Sequence, residues 1–216
     1  MVVFDLDGTL AESKQPMDSE MSELLCELLK QYRVAIISGA SYAQFERQFL
    51  VSLDCAEDEL SNLVLVPTNG ATMYEFDGED WTCRYARVLM DEQKQEVRSA
   101  FERAFEDAPL DKKEVWDPDR EKRRSMVAVM EPLLSDDFEV SIGGTTSIDV
   151  TQKGIDKAFG IRKLCEEFDV SEDEVLFVGD SLEDGGNDAA AKETDAETRS
   201  VDTIADTKAI IRELTS

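Results

Sequence analysis

Apolar residues in the first seventy positions follow two alternating patterns. Residues 2–4, 34–38 and 63–66 form short, nearly continuous apolar runs, which are typical of strands buried on both faces of a sheet. Between them, residues 18–32 and 41–50 repeat apolar side chains at intervals of three and four, as an amphipathic helix does. This order of strand, helix, strand, helix and strand predicts an α/β fold with a parallel sheet flanked by helices.

The pattern changes after residue 70. Residues 72–85 alternate apolar and polar side chains on both sides of an Asp-Gly pair, which predicts a β-hairpin. Two amphipathic helical stretches and two β-like runs follow in residues 86–151, and the strand–helix rhythm resumes in residues 152–216. We therefore expect an α/β core made of residues 1–85 and 152–216, interrupted by a small α+β domain at residues 86–151.

The charge of the chain limits its partners. Among 216 residues, 49 are acidic and 23 are basic, which gives a formal net charge of -26, while 42% of the residues are hydrophobic, as in a folded protein. Nucleic acids and anionic membranes are bound by positive surfaces, so we expect neither as a partner. The acidic residues are scattered in patches, which indicates a solvated surface. We expect a monomer or a homodimer.

The cysteines and the absence of long apolar runs indicate a cytoplasmic protein. Cys26, Cys55, Cys83 and Cys165 lie far apart in sequence without a C-x-x-C pair, so we expect buried thiols rather than disulfides or a zinc site. No apolar stretch reaches the roughly 18 residues of a membrane span, and no signal-peptide pattern is present.

The chain contains no histidine, and this excludes several kinds of chemistry. Catalytic triads and dyads with histidine, zinc sites with histidine ligands and histidine acid–base catalysis are all impossible. An enzyme built on this chain must use carboxylates, lysine, hydroxyls, backbone amides or a hard metal ion.

Polar and glycine-rich residues follow four of the predicted strands. They are the stretches "DLDGT" at 5–9, "SG" at 38–39, "NG" at 69–70 and "GD" at 179–180. If these strands are parallel, all four stretches lie at one edge of the sheet, where open α/β sheets bind their ligands. Glycines there let backbone N–H groups approach a phosphate closely.

The carboxylates at this edge predict an oxygen-only site. Asp5, Asp7 and Asp180 would repel one another unless a cation lay between them, and oxygen ligands point to Mg²⁺. Residues two apart in an extended segment point the same way, so Asp5 and Asp7 would face one substrate. One carboxylate can then act as a nucleophile while the other moves a proton.

Each of these features has a simpler interpretation when taken alone. The D-x-D-G stretch could form a turn or belong to a calcium loop, although Leu182 and Ala191 occupy positions where an EF-hand counted from Asp180 needs oxygen ligands. A Ser-Gly pair is common in ordinary strand-to-helix turns. Lys157 alone would be interpreted as a solvated helix lysine. The run "GDSLEDGGND" is hard to explain by stability.

Four stretches, in this order, resemble the motifs of the haloacid dehalogenase (HAD) superfamily. They are "FDLDGTL", "IISGA", Lys157 within "KGIDKAFGI", and "FVGDSLEDGGND". The resemblance implies a Rossmann-like HAD core, and an insertion between the second and third motifs corresponds to the C2-type cap of subclass IIB. The "GGND" that ends the fourth motif and the strand-like "GGTTSIDV" just before the third are most similar to the phosphomannomutase-like branch, which shares this cap type with Cof-like sugar-phosphate phosphatases.

The resemblance also implies roles for individual residues. Asp5 would be the nucleophile that forms an aspartyl phosphate, and Asp7 the general acid/base. Ser38 would bind the transferred phosphoryl group and Lys157 would neutralise its charge. The remaining implied residues are Asp5, the backbone carbonyl of Asp7 and Asp180 as Mg²⁺ ligands, Asn187 and Asp188 in support, Gly39 and Asn69 as substrate-binding residues, and Thr145, Ser147 and Asp149 as cap residues that touch the sugar.

One departure from the phosphomannomutases concerns the cap. Their cap carries a further β-segment with arginines that hold the second phosphate of a hexose bisphosphate, whereas residues 107–117 contain no strand-like run. Either the cap is reduced or the sequence lacks a segment near residue 107; Arg120, Arg123 and Arg124 could partly substitute. A site without a second phosphate contact favours transfer to water.

We therefore expect Mg²⁺-dependent hydrolysis of a small sugar phosphate. The alternatives are a phosphomannomutase-type hexose phosphate mutase and, from another functional class, a non-catalytic cation-binding protein.

Overall fold

The computed structural model describes residues 1–107, 120–143 and 147–216. The chain divides into two compact units, one formed by Met1–Arg87 and Asp156–Ser216 and the other by Val88–Ile155. The sequence places the corresponding boundaries after residues 85 and 151.

The described residues form nine strands and seven α-helices. In chain order the strands are β1 (Val2–Phe4), β2 (Val34–Ile37), β3 (Leu63–Val66), β4 (Thr72–Phe76), β5 (Trp81–Ala86), β6 (Phe138–Gly143), β7 (Ser147–Gln152), β8 (Leu176–Gly179) and β9 (Glu197–Ser200). The helices are α1 (Ser19–Leu29), α2 (Tyr42–Gln48), α3 (Glu57–Leu60), α4 (Asp91–Asp107), α5 (Arg120–Met130), α6 (Lys157–Phe168) and α7 (Ile204–Thr215). Residues Ala189–Glu193, between β8 and β9, form a 3-10 helix.

The first unit is built on a seven-stranded sheet in the order β5-β4-β3-β2-β1-β8-β9. From β3 to β9 neighbouring strands are parallel, and Val3 of β1 lies opposite Ala35 of β2 and Phe177 of β8. Strands β4 and β5 form the expected hairpin and extend the sheet in an antiparallel direction. The predicted α/β fold with a mostly parallel sheet is confirmed.

Two apolar clusters cover the two faces of this sheet. Val2 and Phe4 of β1 belong to the cluster that includes α1 and α2, whereas Val3 belongs to the cluster that includes α6. All residues of β1, β2 and β3 are buried, because a parallel strand with helices on both faces has no solvent side. This explains why the apolar runs in the sequence are continuous rather than alternating.

The start of α1 is fixed by a side-chain cap and by ion pairs with α7. Asp18 accepts a hydrogen bond of 2.8 Å from the backbone N–H of Met21, which caps the helix. The ammonium group of Lys208 on α7 lies 2.8 Å from Asp18 and 2.7 Å from Glu20. These contacts join the C-terminal helix to the first helix of the chain.

The expectation of four buried thiols is wrong. Cys26 on α1 and Cys55, just before α3, form a disulfide with a Cα–Cα distance of 5.2 Å. Cys83 is an exposed thiol, while Cys165 is buried as expected. The two bonded cysteines are 29 residues apart and meet because α1 packs against α3, so no local spacing in the sequence reveals the pair.

The second unit has its own small core. Helices α4 and α5 pack together, and the hairpin of β6 and β7 is antiparallel, with Ser141 opposite Asp149. Its buried centre is formed by Ala100, Ala104, Met126 and Met130. Asp117 and Pro118, a residue pair typical of a helix start, precede α5 in sequence and lie outside the described residues. Arg123 is buried and Arg124 exposed.

Within the described part of the chain, no helix combines the length and apolar character needed to cross a membrane. The expected cytoplasmic location stays a prediction.

Candidate active site

Backbone hydrogen bonds join the carboxyl end of β1 to that of β8, and the carboxyl end of β2 to that of β3. The N–H of Asp5 donates to the carbonyl of Val178 at 2.9 Å, and the N–H of Asn69 donates to the carbonyl of Ser38 at 2.9 Å. The N–H of Thr68 reaches the carbonyl of Ala40 at 3.0 Å. Three of the strand-end stretches identified in the sequence therefore carry such bonds at one edge of the sheet.

A buried cluster of three charged side chains lies at the centre of this edge. The ammonium group of Lys157 is 2.5 Å from Asp5 Oδ1 and also forms an ion pair with Asp188 Oδ1. Lys157 and Asp5 are each 1% exposed, and Asp188 is fully buried. The interpretation of Lys157 as a solvated helix lysine is thereby excluded.

Local structure explains how Lys157 reaches this position. It is the first residue of α6, and the preceding Asp156 caps the helix by accepting a hydrogen bond of 2.8 Å from the N–H of Phe159. Gly70 has a φ of +97°, and a Cβ atom there would lie 2.6 Å from the Cα of Gly160. Only glycine allows the strand-end stretch after β3 to approach the first turn of α6 so closely.

The electrostatics of the cluster are dominated by burial. Removal from water raises the pKa of Asp5 to about 7, against the lowering effect of the Lys157 charge. Burial acts to lower the pKa of Lys157, but the charges of Asp188 and Asp5 outweigh it and raise that pKa. Burial and the Asp188 charge raise the pKa of Asp180 to about 6. The single ammonium group of Lys157 therefore does not balance the negative charge of the carboxylates around it.

This excess of carboxylate is the kind of site that binds a hard cation. Asp5, Asp180 and Asp188 each offer an oxygen, and these oxygens all lie within 4.8 Å of one another. A Cβ atom at Gly8, which has a φ of +86°, would collide with the carboxylate of Asp180, so the first strand-end turn lies directly against the end of β8. An oxygen-only set of ligands fits Mg²⁺.

The two predicted supporting residues in the loop after β8, Asn187 and Asp188, have different surroundings. Asp188 accepts a hydrogen bond of 3.0 Å from the N–H of Ser181 at Oδ2, in addition to its ion pair with Lys157. Asn187 is exposed, and its side chain has no hydrogen bond within the described residues. The structure thus brings Asp188, but not Asn187, into contact with the Lys157 cluster.

The side chain of Asp7 is half-buried and held at one oxygen. Asp7 Oδ1 accepts a hydrogen bond of 2.8 Å from the backbone N–H of Lys14 and another of 2.8 Å from the side-chain amide of Gln48. Sequence reasoning missed Gln48, since it occupies a polar position of the α2 pattern. Thr9 is buried, and its hydroxyl donates a long hydrogen bond of 3.5 Å to Asp5 Oδ2.

The loops after β2 and β3 present backbone groups. Ser38 is buried, and its Oγ accepts a hydrogen bond of 3.1 Å from the N–H of Ala40. Gly39 is exposed, and its N–H has no acceptor among the residues described. Asn69 has a left-handed φ of 53°.

The three predicted cap residues belong to the second unit. Thr145 lies outside the described residues, and Ser147 and Asp149 lie on β7. Their contact with a sugar stays a prediction.

Comparison with known proteins identifies the family. The model of the eukaryotic phosphomannomutase family matches residues 99–216, which is more than half of the chain. The chain belongs to the phosphomannomutase family. Among curated relatives, the phosphomannomutase of Encephalitozoon cuniculi is 28% identical over 224 residues, covering 86% of this chain and 81% of that protein. The phosphomannomutase of Oryza sativa subsp. indica is 28% identical over 220 residues, covering 90% and 87%.

Solved structures place this phosphomannomutase-family chain in the HAD superfamily fold. IMP-nucleotidase of Plasmodium falciparum superposes with a TM-score of 0.76 at 16% identity, covering 99% of this chain and 67% of that one. A haloacid dehalogenase-like hydrolase from Bacteroides thetaiotaomicron superposes with a TM-score of 0.66 at 16% identity, covering 99% and 98%. These structures show that the chain shares the fold of haloacid dehalogenase-like hydrolases, and the family match identifies it as an enzyme of the phosphomannomutase family.

Proposed function

We propose that this chain is a Mg²⁺-dependent hexose phosphate mutase of the phosphomannomutase type, which transfers a phosphoryl group through Asp5. The observation that carries the proposal is the buried contact of Asp5 with Lys157 beside Asp180 and Asp188. The names of the curated relatives support the mutase reaction over simple hydrolysis, which the sequence alone favoured.

The proposed reaction has two half-steps. The carboxylate of Asp5 attacks the phosphorus of the substrate, and the bond from phosphorus to the sugar oxygen breaks as Asp7 gives that oxygen a proton. In the second half-step an acceptor hydroxyl gives its proton to Asp7 while its oxygen takes the phosphoryl group from Asp5. In this proposal the ammonium group of Lys157 and the backbone N–H of Gly39 stabilise the negative charge on the phosphoryl oxygens.

Asp5 and Asp180, with the backbone carbonyl of Asp7, are the residues we assign as Mg²⁺ ligands. A bound Mg²⁺ would offset the repulsion between the carboxylates and the phosphoryl oxygens. Asp188 instead holds Lys157 toward Asp5. Thr145, Ser147 and Asp149 remain the candidates for sugar contacts.

Hydrolysis is the second candidate, and one observation favours it. Only twelve residues, 108–119, separate the end of α4 from the start of α5, and they contain no strand-like run in sequence. Without contacts for a second phosphate, a hexose bisphosphate would leave before it could be turned over, and water would accept the phosphoryl group.

The two reactions are distinguished by their products. Mannose 1-phosphate is incubated with Mg²⁺, with and without hexose 1,6-bisphosphate, and followed by phosphorus NMR. Mannose 6-phosphate that forms only with added bisphosphate supports the mutase, whereas inorganic phosphate as the main product contradicts it and supports hydrolysis.

The non-catalytic alternative is tested on Asp5 itself. Asp5→Asn should abolish turnover while far-UV circular dichroism shows an intact fold, because an amide is a far weaker nucleophile than a carboxylate. Asp54→Asn, in a loop of the same unit, is the matched control and should keep activity. An Asp5→Asn protein with most of the Mg²⁺-dependent activity would contradict the assignment of Asp5, and a wild type with no turnover and no fluoroberyllate adduct would support mere cation binding.

A further inference from the structure

The side chain of Gln48 is a buried polar group whose burial needs an explanation. It is 5% exposed at the end of α2, where the neighbouring Phe45 and Phe49 are fully buried in the core. Burying a side-chain amide without a partner is costly, so buried amides are nearly always hydrogen bonded. The amide nitrogen of Gln48 donates to Asp7 Oδ1 at 2.8 Å.

Gln48 forms two hydrogen bonds with the segment between β1 and α1, which contains Asp7. Besides the side-chain contact, its backbone carbonyl accepts a hydrogen bond of 3.3 Å from the N–H of Met17. The turn around Asp7 is closed by its own backbone bonds, from the N–H of Gly8 to the carbonyl of Ala11 at 2.8 Å, among others. Because that turn fixes the backbone, the side-chain rotation of Asp7 is the freedom that remains, and Gln48 restricts it together with the N–H of Lys14.

The two oxygens of Asp7 differ in their partners. Oδ1 accepts N–H groups from both Gln48 and Lys14, while Oδ2 has no hydrogen-bond partner in the part of the chain that is described. An oxygen that accepts two N–H donors cannot also carry a proton without losing one of them. The proton of a general acid at this position therefore belongs on Oδ2.

We propose that Gln48 is a positioning residue that turns Asp7 so that Oδ1 is held and Oδ2 exchanges the proton with the substrate oxygen. This inference rests on the proposed function, in which Asp7 is the general acid/base. In the first half-step the proton leaves Oδ2 for the sugar oxygen as its bond to phosphorus breaks, and in the second it returns to Oδ2 from the acceptor hydroxyl.

The test compares leaving groups that do and do not need a proton. Gln48→Met keeps the length of the side chain and removes the N–H donor. Phosphoenzyme formation is measured in a single turnover with mannose 1-phosphate by rapid quench and with p-nitrophenyl phosphate by the burst of p-nitrophenolate. A sugar oxygen must be protonated as it leaves, whereas p-nitrophenolate is stable without a proton.

We expect Gln48→Met to slow phosphorylation from mannose 1-phosphate by about 10- to 100-fold, which is part of the range for general acid catalysis. The burst with p-nitrophenyl phosphate should stay within about threefold of wild type, and KM should change little. Gln44→Met is the matched control, because Gln44 lies on the same helix and accepts the N–H of Ser41 without touching Asp7. It should slow neither substrate selectively.

An equal loss on both substrates, or no loss on either, would overturn the inference. If Gln48→Met does not fold, Gln48→Glu retains the shape and replaces the donor with an acceptor, and the same selective loss is expected. A wild type that forms no phosphoenzyme from either substrate contradicts the proposed function. A wild type that forms it, with no selective loss in either variant, contradicts the role of Gln48 alone.

Discussion

Replacing Lys157 with methionine tests the charge balance of the cluster without any assumption about the substrate. Lys157→Met keeps most of the side-chain volume and removes the ammonium group that lies 2.5 Å from Asp5 Oδ1. At an effective dielectric constant of about 20, that one contact corresponds to an attraction of about 7 kcal/mol. The cost of burying the charges offsets much of it, and measured losses for one partner of a buried pair are about 3–5 kcal/mol.

The loss should depend on pH in a defined direction. Burial already raises the pKa of Asp5 to about 7, and removing the Lys157 charge raises it further. A carboxyl group with a raised pKa in the folded state contributes stability at low pH and loses it as the pH rises through that folded-state pKa. Wild type stops losing this contribution near pH 7, but the variant continues to lose it above pH 7. The difference between the two should therefore widen by about 2 kcal/mol between pH 7 and about pH 8.5.

The measurement is urea unfolding followed by far-UV circular dichroism, without Mg²⁺, at pH 6 and at a pH near 8.5. Lys208→Met is the control, because it removes a lysine whose partners Asp18 and Glu20 are about half exposed. It should cost far less than Lys157→Met at both pH values, because solvent screens exposed ion pairs. A loss below about 1 kcal/mol for Lys157→Met, or a loss that does not grow with pH, would refute the argument.

Three further predictions concern stability. Gly70→Ala should lower the free energy of unfolding by about 1–3 kcal/mol in urea titrations, because its Cβ would lie 2.6 Å from the Cα of Gly160 at a φ of +97°; an unchanged midpoint contradicts the close approach. Cys26→Ala should cost about 3–4 kcal/mol under oxidising conditions through the loss of a 29-residue cross-link, and nothing comparable in reductant. Asp18→Ala should cost about 1–2 kcal/mol near pH 7 through loss of the helix cap and the Lys208 contact, measured by thermal unfolding. The hydrogen bond from Lys208 lowers the pKa of Asp18 below its ordinary value of 3.8. The contact with Lys208 therefore stabilises the fold above pH 3.8, and this stabilisation should be lost as the pH falls through the lowered, folded-state pKa of Asp18.

The main sheet could be predicted from the sequence because its central strands are buried on both faces. The sequence of such a strand is a continuous apolar run. The polar residues that follow the run lie at the edge of the sheet where open α/β sheets bind ligands. Asp5, Ser38 and Asp180 are identified by this pattern alone. The four-residue helix α3 was missed, because Glu57–Leu60 is too short to show a helical repeat.

Contacts between segments that are distant in sequence could not be predicted from the sequence. The ion pair of Lys157 with Asp5, 152 positions away, is visible only in the folded structure. Nothing near Lys157 in sequence predicts it. The disulfide between Cys26 and Cys55 and the contact of Gln48 with Asp7 depend in the same way on helix packing. Asp188 and Asn187 are adjacent in sequence, and only the backbone path of the loop after β8 separates the buried carboxylate from the exposed amide.

The central claim is that Asp5 carries the phosphoryl group, and covalent trapping tests it most directly. Wild-type protein is mixed with Mg²⁺ and mannose 1-phosphate, quenched in acid and reduced with borohydride, which converts an aspartyl phosphate to homoserine. Peptide mass spectrometry should then show homoserine at position 5 and an unmodified Asp7. No conversion at Asp5 in a protein that turns over the substrate, or conversion at another carboxylate, would contradict the account.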